Sequence, residues 1–150
     1  MKKILLVFAM LVFQLDFSQS KTDSNQKITT QAPELDQEKR ALYNEAFFKF
    51  INALKASDRK AMEELLSEKA KKVVTDRVYT RLSEDIDFSK KLEIFRSGYK
   101  SLKDGSSYPM IEYKYTDDAG SPPKEIITAI FENDGKILGI KPVKNNPVSK

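Results

Sequence analysis

Apolar and polar positions alternate along this chain in four distinguishable regimes. The first is an unbroken apolar run over residues 4–13, placed behind Met1-Lys2-Lys3 and ahead of small polar residues at Ser18 and Ser20. A basic start, an apolar run of roughly 7–15 residues and small residues near the cut describe a secretory leader. Residues 1–20 are therefore expected to be a signal peptide, with the mature chain periplasmic or extracellular. A membrane-crossing helix needs roughly 20 apolar residues, so this shorter run predicts no stable membrane anchor. The second regime, residues 21–37, holds only Ile28 and Leu35 as isolated large apolar residues and has no period. Such a stretch buries too little to offset the entropy of ordering it, and it is expected to be a disordered tether.

The third regime is helical. Leu42, Tyr43, Ala46, Phe47, Phe50, Ile51 and Leu54 recur at intervals of three and four, which lines one stripe of a long helix over residues 35–56, with Phe48 beside the stripe. Pro33, Glu34 and Asp36 suit its N-terminus. Ser57-Asp58 then offers a cap for a second helix with Ala61, Met62, Leu65 and Leu66 inward, and a kink is expected at Ser67 before Ala70, Val73 and Val74. Thr75-Asp76 starts a further helix carrying Val78, Tyr79 and Leu82, and residues 83–87 read as a polar connection. Leu92, Phe95, Tyr99 and Leu102 fit helical spacing, but Gly98 interrupts it at a cost of ~1 kcal/mol. The reading is a short helix over 89–96 followed by a strand near 98–103.

The fourth regime has the period of two that strands show. Ile111, Tyr113 and Tyr115 alternate with Glu112 and Lys114 in residues 108–115. Residues 125–131 are apolar on both faces and predict an interior strand. Residues 132–136 (ENDGK) form a tight turn with Gly135 supplying positive φ, and residues 136–143 return antiparallel, with Pro142 marking an end or an edge. Either 108–115 or 136–143 is a candidate exposed edge able to recruit a partner strand. The folded domain is placed at 38–145 and a frayed tail at 146–150.

Composition narrows the chemistry. The chain has no Cys, His or Trp. That excludes disulfides, thiol nucleophiles, Ser-His or Cys-His catalysis and zinc sites built on imidazole or thiolate. Basic and acidic residues nearly balance, with Lys69, Lys71 and Lys72 interleaved by Glu68 and Asp76, so no nucleic-acid partner is expected. Asp85-x-Asp87 and Asp117-Asp118-x-Gly120-Ser121 lack the ligand ladder of a calcium loop and read as turns; no metal and no cofactor is expected.

The order of helices then antiparallel strands gives an α+β fold, with N-terminal helices packed on a curved antiparallel sheet. The stretches FFKFINALKASDRKAMEELLS and ITAIFENDGKILGIKPV, within residues 41–143, resemble small exported domains of the NTF2-like (cystatin-like, cone-shaped) α+β superfamily. That resemblance implies a cone with a pocket. Enzymes of the superfamily place an Asp or His base and Tyr or Asp donors there, and this chain has no His. The leading expectation is a non-enzymatic domain binding a small apolar ligand, or a protein of the cell envelope, through Phe47, Tyr99, Tyr113 and Tyr115, with no catalytic residue assigned; a dimer is compatible with it. The alternatives are a weak isomerase or hydro-lyase, pairing Asp76, Asp85 or Asp87 with Tyr99, Tyr108, Tyr113 or Tyr115, and a structural accessory of the envelope.

Overall fold

The computed structural model describes residues 33–145. The expected leader, residues 21–32 of the expected tether and the tail from 146 lie outside the described residues. The end of that tether, 33–37, is not disordered, since Leu35 is buried in the core and Asp36 caps the first helix. Among the described residues, helices α1 (Gln37–Lys55), α2 (Arg59–Leu65), α3 (Glu68–Lys71) and α4 (Asp76–Asp85) precede strands β1 (Leu92–Ser101), β2 (Ser107–Tyr115), β3 (Glu125–Phe131) and β4 (Ile137–Lys144). None of these helices is long and apolar enough to cross a membrane.

Local chemistry sets the helix starts. The Asp36 carboxylate accepts from the Lys39 N–H at 2.8 Å and opens α1, satisfying one of the orphan donors of its first turn. Asp58 caps α2 through the Ala61 N–H at 3.1 Å, and the Ser67 hydroxyl caps α3 through the Ala70 N–H at 3.1 Å. The expected kink at Ser67 is a full break: Leu66 and Ser67 are extended and lie parallel to the start of β4, with the Ser67 N–H donating to the Ile137 carbonyl at 2.9 Å. Helix α4 continues through Ser83, Glu84 and Asp85, which were expected to connect. The Ser83 hydroxyl bonds back to the Tyr79 carbonyl at 3.0 Å, so this polar residue stays within the helical turn.

The four strands form an antiparallel meander in the order β1-β2-β3-β4. Residues 125–131 are interior, as their two apolar faces predict. Residues 108–115 are interior as well, so of the two candidate edges only 136–143 is one. The helix expected over 89–96 is instead the first half of β1. Leu92 and Ile94 already alternate with Glu93, and a bulge between Ile94 and Arg96 then shifts the phase. That extra residue, Phe95, brings Leu92, Phe95 and Tyr99 to helix-like spacing by accident.

The stripe of α1 lies on one face of the sheet, called here the inner face. Tyr43 stacks on Phe131 with ring centroids 4.9 Å apart, and Phe47 stacks on Tyr113. Tyr43, Phe47, Phe50, Ile51 and Leu54 are buried as the spacing predicts, whereas Leu42 remains 48% exposed. Leu42 covers the turn at Gly135 (φ +92°), where an added β-carbon would meet its side chain at 3.4 Å.

Candidate functional site

Of the residues expected to line a pocket, Phe47, Tyr113 and Tyr115 are buried in the core. Phe47 and Tyr113 are fully buried, each covering the other's ring face, and Phe48 meets Tyr113 edge-on. The Tyr113 hydroxyl has no hydrogen-bond partner, and burial pushes the phenol far above its ordinary range. Tyr115 is also buried; its hydroxyl accepts from the Asp87 N–H at 2.8 Å and ties the α4–β1 connection to the sheet. Tyr99 is half-buried on β1, where it and Asp36 hold the Lys39 ammonium above its usual value. The structure stacks Phe47 on Tyr113, while Tyr115 lines a polar depression with Lys90, Asp117 and Lys124.

The carboxylates of the enzyme alternative do not reach a tyrosine hydroxyl among the described residues. Asp76 pairs with Arg59, Asp85 lies 3.9 Å from Arg81, and the Asp87 carboxylate accepts from the Ser89 N–H at 3.0 Å and from its hydroxyl. Those Ser89 bonds hold the Asp87 carboxyl below its ordinary range. The contact between Asp87 and Tyr115 runs through backbone. Tyr108 accepts from the Lys69 ammonium at 3.3 Å instead. In the β2–β3 loop the Asp118 carboxylate accepts from the Gly120 N–H at 2.9 Å and the Lys124 N–H at 2.6 Å, which is turn chemistry. No group of three or more metal-ligating side chains occurs among the described residues.

Three depressions on the surface differ in lining. One of about 430 Å³ is polar, set by Lys90, Asp117, Asp118, Lys124 and Glu125 around Tyr115. A second of about 280 Å³ combines Phe48, Ile51, Phe88 and Leu92 with Lys55, Lys90, Lys91 and Asp87. The third, of about 160 Å³, has no charged residue in its wall: Val73, Val74, Val78 and Leu82 of the α3–α4 region face Leu138 and Ile140 of β4 across a floor of Phe50, Leu66, Ala70 and Ile137. Val73 is 75% and Val78 40% exposed there.

Exposing valines to water forgoes the ~25 cal/mol per Å² that burial would return, so an uncovered all-apolar groove is the surface most in need of a partner. Sequence reading assigned Val73, Val74 and Val78 to the core. Val73 and Val78 are instead exposed, and Val74 is only partly buried against the core.

No protein-family model, curated protein or solved structure matches this chain. What the described residues define is the class: an α+β domain of helices and a four-stranded antiparallel meander.

Proposed function

We propose that this chain is an exported, non-enzymatic binding domain of the NTF2-like type that holds a protein partner of the cell envelope in the apolar groove between α3–α4 and β4. The leader pattern of residues 1–20 supports export, and the position of α1 across the inner face of the sheet supports the cone-like kinship. The observation that carries the binding role is the contrast between a packed interior and an uncovered apolar groove. Size selects the partner. Pockets for drug-sized ligands run to roughly 300–1,000 Å³, whereas about 160 Å³ holds one benzene-sized apolar group, such as a large side chain presented by another protein.

A photo-reactive residue placed at Val78 of the full chain, compared with one at the exposed Thr80, tests this in cells that export it. Crosslinks to discrete protein species from position 78 and not from 80 are expected. Crosslinks to lipid alone, or equal yields from both positions, overturn it. Sequencing the N-terminus of the recovered protein checks export: the expected start lies between about residues 18 and 21, where the leader's small polar residues end.

A further inference from the structure

We propose that the groove receives its partner as an added strand: an extended segment pairs with the outer edge of β4 while one of its large apolar side chains fills the groove. This rests on the protein-binding reading above and adds the mode of binding.

The sheet order makes β4 an edge. The Asn145 N–H donates to the Lys124 carbonyl, toward β3, at 2.6 Å. Backbone groups alternate sides along a strand, so Lys144, Pro142 and Ile140 direct theirs to the outer side. Pro142, with no N–H to give, is suited to that position. Ile140 thus offers a donor and an acceptor to the open edge beside the groove, and Pro142 a further acceptor. The edge already pairs with extended chain at the groove's end, where Leu66 bridges Ile137 in parallel and Ser67 donates to its carbonyl.

Edge strands are normally guarded by charge, proline or bulges. On β1 that protection is complete, with a bulge after Ile94 and charges at Glu93, Arg96 and Lys100. On β4 the charged and proline guards are Lys141, Pro142 and Lys144, all beyond the groove; the stretch Ile137-Leu138-Gly139-Ile140 carries no charge or proline, and its one irregularity is a bulge at Leu138. The half of this edge free of charge and proline is the half the groove accompanies, and Ile140 lies past the bulge. A volume of about 160 Å³ is close to the ~150 Å³ apolar cavity that accepts a benzene-sized group. A leucine or phenylalanine side chain on a paired strand meets both requirements.

The test selects a displayed library of extended peptides, alternating apolar and polar, on the full chain. Selected peptides are then resynthesised with N-methyl groups on alternate backbone nitrogens, in each of the two registers. Val78→Glu, at a half-exposed position, serves as the groove variant, with an unchanged melt confirming its fold. Strand addition predicts at least a tenfold loss of affinity from Val78→Glu, and a similar loss from N-methylation in one register and not the other. It also predicts slowed hydrogen exchange at the Ile140 amide. If Val78→Glu weakens binding while both methylated registers bind like the parent, strand addition is overturned and the groove remains a protein site. If no selected peptide responds to Val78→Glu, the groove reading itself falls.

Discussion

Phe47 on α1 and Tyr113 on β2 lie face to face, ring centroids 3.8 Å apart and planes within 9°. This stack is the central joint between helix and sheet, since both residues are fully buried. Phe47→Ala is expected to cost ~3–5 kcal/mol, the usual range for removing a buried phenyl group, measured by urea unfolding. Tyr113→Phe should act in the opposite sense. The Tyr113 hydroxyl has no partner, and a buried orphan of this kind costs ~1–3 kcal/mol, so its removal should raise stability by about 1 kcal/mol. A loss of stability on Tyr113→Phe would mean that the hydroxyl is solvated or bound.

Tyr115 sits two residues along the same face and predicts the reverse. Its hydroxyl accepts from the Asp87 N–H, so Tyr115→Phe should lower stability by about 1 kcal/mol. The same substitution at neighbouring positions thus separates a tyrosine used as a ring from one used as a hydrogen-bond acceptor. Amide exchange at Asp87 should accelerate in the variant.

That contrast shows where sequence reading stops. Period two puts Tyr113 and Tyr115 on one face, but whether a hydroxyl finds a partner depends on Asp87, 28 residues from Tyr115. Helix α1 was legible because its stripe is wide, aromatic and capped by Asp36. Of strand β1 only the second half was, near residues 98–103, because the bulge at Phe95 destroys the alternation that would have marked the first half. The candidate groove was invisible for another reason. Val73 and Val78 have the same apolar signature as the buried Ala70 and Leu82 nearby, and nothing in that signature separates the exposed pair from the covered one. The pocket inferred from kinship was a statement about shape; the rings of Phe47 and Tyr113 are packed against each other in the core.

The pH response follows from carboxylates tied to backbone. The Gly120 N–H, with those of Lys124 and Glu125, holds the Asp118 carboxyl below its ordinary value, and the Lys39 N–H does the same for Asp36. Hydrogen bonds from Ser106 lower Asp104 likewise. A carboxylate whose pKa is depressed on folding contributes stability above its unfolded value, ordinarily 3.8, and loses it as pH falls through the folded value. With no His in the chain, melting temperature should stay flat from about pH 5 to 8. It should fall in acid below the ordinary carboxylate value, and Asp118→Asn should reduce that fall. A transition near neutral pH would contradict this account.

Glu112 projects from the sheet face opposite α1, yet it is 7% exposed, because the Arg96 guanidinium from β1 covers it in a bidentate pair. The pair is asymmetric: the Arg96 side chain remains 64% exposed and the Glu112 side chain 10%. Solvent around the arginine screens the attraction, so the ion pair itself contributes little, ~0–1 kcal/mol. The larger effect is the cost of stranding Glu112 without its cover. Arg96→Ala is therefore expected to destabilise by about 1–2 kcal/mol, below the ~3–5 kcal/mol of a fully buried pair. Adding Glu112→Met to Arg96→Ala should restore most of the loss, since it removes the carboxylate that needed a partner. The comparison is a double-mutant cycle in urea at low and high salt. If the double variant is as unstable as Arg96→Ala alone, the arginine acts by covering Met110 and its neighbours with its aliphatic stem rather than by pairing the carboxylate.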